Sequence, residues 1–175
     1  LFIQGAWNFR GMQNIGFVYS LVPGLKSICS DSLDKAAARY LRFFNTHPYM
    51  SPTIAGVFLH LEEKGEHEMI ENLQKTIAGS LAAIGDYFFW ATLKPLIALL
   101  FILSVFTGEL WGIILTLIVY NGLHLWAMSW GFMQGYLYGP QGTLKVGRAL
   151  SVERAKLVSY ATSLLSGAVL ALISL

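Results

Sequence analysis

Two stretches of this chain carry side chains suited to chemistry. Near the start, Gln4, Asn8, Gln13 and Asn14 interleave with Trp7, Phe9 and Phe17 and with three glycines. Amides donate and accept hydrogen bonds, and aromatic faces cover C–H surfaces, so this set suits a neutral polyhydroxy ligand. The same composition suits equally well an interfacial segment whose rings and amides meet lipid headgroups. Farther on, His60, Glu63 and His67 recur at i, i+3 and i+7. On an unbroken helix these metal-ligating types would share a face. Gly65 interrupts that helix, and no HExxH or comparable zinc spacing is present, so Glu62 to Glu68 reads as a solvated acidic turn. No metal or other cofactor is expected.

Other chemistries lack their residues. Gly139-Pro140-Gln141-Gly142 is a turn signal without the Lys-Ser/Thr that a phosphate loop requires. No Ser/His/Asp or Cys/His order suggests a nucleophile, and no catalytic residue is assigned. The lone Cys29 has no partner for an internal disulfide. A net charge of +2 without a basic stripe argues against a nucleic-acid partner.

The elements that must position these residues belong to a membrane protein. The composition is 55% hydrophobic and only 13% charged, against about 25% charged in a typical soluble domain. From Phe88 to Trp130, 43 residues carry two formal charges, Lys94 and Glu109; Leu157 to Leu175 carries none over 19. Roughly 20 apolar helical residues cross a bilayer core. The runs predict spans at about 88–106, 110–130 and 157–175, with a turn at Thr107-Gly108-Glu109. Lys94 sits near the start of the first span and snorkels, Pro95 kinks that span, and Asp86 caps it. Asn121 and His124 share one face of the second and read as interhelical hydrogen-bonding groups.

Upstream, Leu33, Ala37, Tyr40, Leu41 and Phe44 fall at helical spacing, with Lys35, Arg39 and Arg42 on other faces. This pattern predicts an amphipathic helix on a membrane surface or a partner, ending at Asn45-Thr46-His47-Pro48. Two apolar stretches follow that are too short to span. Pro48–Leu61 is broken by Pro52 and Gly56, and Thr76–Ile84 by Gly79. Paired, Gly/Pro-interrupted segments of this kind point to a broken-helix, re-entrant hairpin; a peripheral helical pair is the competing reading. The segment 131–156 carries Lys145, Arg148, Arg154 and Lys156 against Glu153 alone, which places it, and residues 1–86 with it, on the cytoplasmic side. The fold class expected is all-α and polytopic, divided into residues 1–86 and a span bundle at 87–175. The chain opens on Leu1 rather than Met, so its true start is expected upstream.

Four motifs in order now become specific. Gly5-Ala6-Trp7-Asn8-Phe9 with Met12-Gln13-Asn14-x-Gly16-Phe17 and Leu21-Val22-Pro23, then Phe43-Phe44-Asn45-Thr46-His47-Pro48-Tyr49, then Leu61-Glu62-Glu63, then Ile84-Gly85-Asp86-x-x-Phe89-Trp90-x-Thr92-Leu93-x-Pro95, resemble the IID membrane component of the mannose/fructose/sorbose phosphotransferase family. They cover residues 4–95, and the span layout continues the match.

The resemblance implies a bacterial cytoplasmic-membrane subunit with its N-terminus inside. It would form with IIC the translocation unit for a hexose that phospho-IIB, fed by IIA, phosphorylates during uptake. It implies trimers of IIC–IID pairs in membrane lipid and no phosphohistidine on IID itself. Family members continue well past the segment matching 157–175; a subunit that only docks IIC, without transport, is the alternative. Within this frame Glu62 or Glu63 is the first choice for a sugar ligand, since a carboxylate accepts hydroxyl hydrogen bonds strongly. Asn45, His47, Trp7, Asn8, Gln13 and Asn14 complete the expected sugar-binding set.

Overall fold

The computed structural model describes residues 3–174. Regular structure among them is helical: α1 (Asn14–Ile28), α2 (Leu33–Arg39), α3 (Ser51–Glu63), α4 (His67–Gly85), α5 (Lys94–Phe106), α6 (Leu110–Tyr138), α7 (Pro140–Ala149) and α8 (Val152–Ile173). The chain folds as two compact units. One takes the chain up to Ala83 together with Ala127–Arg148; the other takes Ile84–Trp126 and the chain from Ala149 onward.

The first unit has an aromatic core. Phe17 of α1 stacks on Phe44 at 3.8 Å with 10° between the ring planes, and Tyr40 lies 5.4 Å from Phe58 of α3. All four are fully buried, with Leu21, Leu25, Ile54 and Ile70 around them. The helix expected to run on to Phe44 is therefore seven residues long, and Tyr40 and Phe44 turn into protein rather than toward a membrane surface. An apolar period marks a face that must be covered; it does not say by what.

The hairpin of α3 and α4 is present, and its glycines and prolines do not break it. Pro52 sits in the first turn of α3, where its missing N–H leaves no bond unmade. Gly56 is a point of close approach: a Cβ there would strike the Phe132 carbonyl of α6, and one on Gly135 would strike the Thr53 carbonyl of α3. The turn falls at Gly65, whose φ of +69° suits a residue without a Cβ.

In the second unit, α8 packs along α5 and the segment preceding it. No residue of α5 is fully buried, and Leu110, Trp111, Ile114 and Ile118 of α6 are exposed. An apolar surface of this kind suits lipid. Asn121 donates to the Leu117 carbonyl of its own helix at 2.8 Å, so that amide is satisfied locally.

Three helices are long and apolar enough to cross a membrane: His67–Phe106, Leu110–Tyr138 and Pro140–Leu172. Each is longer than the charge-free run within it. The first is continuous through Asp86, which sits inside the helix and caps nothing. Residues Asp86–Leu93 wind as a π-helix, and the Lys94 N–H reaches back to the Phe89 carbonyl. Pro95 offers no N–H to the turn before it, and a wider turn absorbs that loss without a break. The segment expected as a basic loop, 131–156, is mostly helical, with Lys145 and Arg148 on α7 and Arg154 and Lys156 on α8. Leu175, the last residue of the predicted third span, lies outside the described residues.

Candidate functional site

The polar residues singled out above gather in the first unit as two clusters. One is a staple of amides. Gln13 donates its Nε2 to the Thr46 carbonyl and accepts the Thr46 N–H on Oε1, both at 3.0 Å. Asn14 donates to the Leu41 carbonyl at 2.6 Å and accepts from Asn8 Nδ2 at 3.0 Å; Asn8 accepts the Gly11 N–H at 2.7 Å. Between them Met12 holds φ +57°, with backbone bonds to Asn8 on both sides. A side chain persists in that conformation only where its surroundings over-determine it. The amides thus fix the loop 8–14 against residues 41–46. Asn45 stands exposed beside this staple, and Trp7, 45% exposed, meets Phe9 edge to face.

His47 is fully buried next to the staple, at 1% exposure, and its Nδ1 accepts the Tyr49 N–H at 3.2 Å. Burial lowers its pKa to about 4, so the imidazole is neutral at pH 7.

The second cluster is a caged carboxylate. Glu62 is 4% exposed at the end of α3. Arg39 donates to both of its oxygens, Nε to Oε1 at 3.2 Å and Nη2 to Oε2 at 2.5 Å. Tyr40 donates its hydroxyl to Oε1 at 2.7 Å. The half-exposed His67 brings Nδ1 to 3.4 Å from Oε2, and the Cys29 thiol lies 3.8 Å from the same oxygen. Burial first, then the hydrogen bond to Glu62 and its charge, push the Tyr40 pKa upward, so the phenol stays a donor. Burial and the Glu62 charge also raise the Cys29 pKa. Arg39 and Tyr40 were not among the residues expected at the site. The available signal was an Arg directly before a buried-face aromatic, with no acid on its own helix turn to pair with.

Glu63 points elsewhere. It is exposed and accepts the Tyr136 hydroxyl of α6, while His60 Nδ1 lies 2.7 Å from the Tyr136 carbonyl. His60 and Glu63 thus both meet Tyr136 while His67 turns to Glu62, and no metal-holding group of acids, histidines or cysteines forms among the described residues. The eight expected residues divide in consequence. Asn8, Gln13, Asn14, His47 and Glu62 spend their hydrogen bonds inside the protein; Trp7, Asn45 and Glu63 are exposed, with Glu63 also accepting the Tyr136 hydroxyl. A largely apolar groove of about 580 Å³, within the usual range of small-molecule sites, lies in the same unit, lined by Ile3, Ile15, Tyr19, Ser20, Pro23 and Phe132 among others and by none of the eight expected residues.

The chain is similar to known proteins over nearly all its length. The family model for the PTS system mannose/fructose/sorbose family IID component matches residues 1–174. The PTS system mannose-specific EIID component of Escherichia coli (strain K12) is 34% identical over 145 residues, 78% of this chain and 51% of that protein. The fructose permease IID component of Bacillus subtilis (strain 168) is 30% identical over 146 residues, 79% of this chain and 53% of that one. A sorbose-specific EIID component from Lacticaseibacillus casei is 33% identical over 146 residues, 79% and 52% of the two chains. The chain spans about half the length of these curated relatives. Among solved structures, a chain in the cryo-EM structure of the mannose transporter ManYZ in complex with microcin E492 superposes with a TM-score of 0.72 and 29% identity. That match covers 98% of this chain and 64% of the other.

Proposed function

Since the chain belongs to the mannose/fructose/sorbose family of PTS IID components, we propose that it serves as the IID membrane subunit of a sugar phosphotransferase system. In this reading it forms with IIC the translocation unit for a hexose, which phospho-IIB phosphorylates as it enters. The observation that carries the proposal is the agreement of fold and sequence with the mannose transporter chain across 98% of this chain. The subunit sits in the bacterial cytoplasmic membrane with its N-terminus inside. Lys145, Arg148, Arg154 and Lys156 supply the positive charge that supports this orientation. Assembly is as trimers of IIC–IID pairs.

The sugar site lies on the first unit. Glu63, Asn45 and Trp7 carry the accessible carboxylate, amide and ring, a set that accepts from hydroxyls and covers a C–H face. Glu62, Gln13, Asn14, Asn8 and His47 hold these in place through the two clusters. Chemistry on phosphorus belongs to the phosphocarrier partners and not to this chain's histidines.

The test is uptake in cells that co-express the chain with IIC, IIB and IIA from one phosphotransferase operon. Phosphorylation-coupled uptake is expected, and it should fall at least about tenfold in Glu63→Gln and Asn45→Ala. Wild-type rates in both variants remove the ligand assignment. A stable complex with IIC that moves no sugar instead establishes an assembly subunit.

A further inference from the structure

The first unit contains a second cleft, lined in part by the 41–46 segment that the amide staple pins. It holds about 530 Å³ between the Arg42-Phe43 segment and the first turns of α4, where Glu71, Gln74 and Lys75 line it. Its composition is unusual for the surface of a membrane-embedded chain. Arg42 and Lys75 bring two cations, both exposed, and Glu71 brings one acid, ion-paired to Arg42 at 3.1 Å. The Phe43 ring is 54% exposed although it is large and apolar. Gln74 is 5% exposed, and its Nε2 finds no hydrogen-bond partner among the described residues. A buried amide without a partner is rare in folded proteins and marks a place where a further group belongs.

These five residues match one ligand chemistry. Guanidinium and ammonium groups bind phosphate through charge-assisted hydrogen bonds. An open ring face covers the C–H surface of a sugar, and an amide with a carboxylate reads its hydroxyls. We propose that this cleft binds a phosphate monoester of a hexose, the phosphorylated product of the transport reaction, at a site distinct from the sugar site above. The identity of the ligand rests on the phosphotransferase reading; the binding itself is measured without transport, so the two can fail separately. Glu71 opposes the anion and offsets part of the Arg42 charge. Such a site is tuned for weak, reversible occupancy, as release of a product demands.

The experiment is calorimetric titration of a hexose phosphate into the full chain in phosphatidylcholine nanodiscs, with neutral hexose and inorganic phosphate as parallel ligands. The hexose phosphate should bind, more weakly as salt rises. Arg42→Gln and Lys75→Gln should each weaken it about tenfold, with Lys75→Arg close to wild type. Glu71→Gln should tighten it about three- to fivefold, an effect that loss of a merely structural ion pair would not produce. Inorganic phosphate should bind less well than the ester, and Phe43→Ala should remove that difference. Absence of binding at millimolar ester, equal affinity across the variants, or equal affinity for inorganic phosphate overturns the proposal. So does competition seen only from phosphatidylglycerol in the nanodisc, which would make the cleft a lipid-headgroup site. Unchanged binding by neutral hexose in all variants is the expected control; a loss there would place the sugar site in this cleft and overturn the separation.

Discussion

Replacing Arg39 with Met tests whether the caged carboxylate holds the first unit together. The substitution keeps the length of the aliphatic stem and removes two charge-assisted bonds to Glu62, at 3.2 and 2.5 Å. Glu62 keeps the Tyr40 hydroxyl at 2.7 Å and His67 at 3.4 Å, but it loses its guanidinium counter-charge while its side chain has no exposed surface. Leaving a buried charge uncompensated costs about 3–5 kcal/mol. Arg39 is one-fifth exposed, so water entering its place brings the figure to the lower end, about 3 kcal/mol. For a chain of this size each kcal/mol moves the midpoint by about 2–4 °C, so thermal unfolding in detergent at pH 7, followed by circular dichroism, should show a fall of about 6–12 °C. The decisive comparison is the double variant Arg39→Met/Glu62→Leu. Removing both charges leaves no buried ion; the buried Tyr40 hydroxyl loses its acceptor, at about 1 kcal/mol, and the Cys29 thiol and half-exposed His67 lose longer, weaker contacts. The double variant should therefore be more stable than the single one. A single variant within about 1 °C of wild type, or a double variant less stable than the single, would refute the reasoning.

Other predictions follow the same geometry. Because the folded pKa of His47 is lowered to about 4 from an ordinary 6.5, the unfolded chain binds the extra proton between these values. Stability from neutral His47 is thus complete above about pH 6.5 and declines as pH falls toward 4, by about 3 kcal/mol in all; His47→Asn should flatten that part of a denaturation-versus-pH profile. Gln13→Ala removes both bonds to Thr46 and should cost about 2 kcal/mol in the same melt, whereas exposed Asn45→Ala should cost under about 0.5 kcal/mol. Gly135→Ala places a Cβ against the Thr53 carbonyl and should cost about 1–3 kcal/mol, while Gly79→Ala, which meets open space, should be neutral or stabilising by a few tenths.

The sequence carried the membrane character because lipid imposes a length and a composition that any spanning helix must meet, and the charge-free runs meet both. It underreported how far those helices extend. Asp86, Gly79 and Lys94-Pro95 each read as an interruption, yet the helix from His67 to Phe106 passes through all three, with a π-helical stretch taking up the proline. Gly56 looked like a break because a glycine that loosens a helix and a glycine that admits a neighbouring backbone are the same letter. The candidate site was legible as a set of residues, since Asn8, Gln13, Asn14, Asn45 and Glu62 were all named from motifs. Their division into holders and presenters was not. Gln13 finds Thr46 and Arg39 finds Glu62 across 33 and 23 residues of chain, and no local pattern encodes such a pairing.

The nested path of the chain has a consequence in time. His60 of α3 meets Tyr136 of α6 across 76 residues, and the first unit is not complete until Ala127–Arg148 has been made. At roughly 5–20 residues per second, the ribosome needs about 4–15 s to deliver that partner after α3 is finished. Through that interval the face of α3 bearing Thr53, Gly56 and His60 has no helix to cover it. Every copy of this protein thus passes through a stage lasting seconds in which its first unit is half-walled, and whatever shelters a nascent membrane chain must hold it for that long.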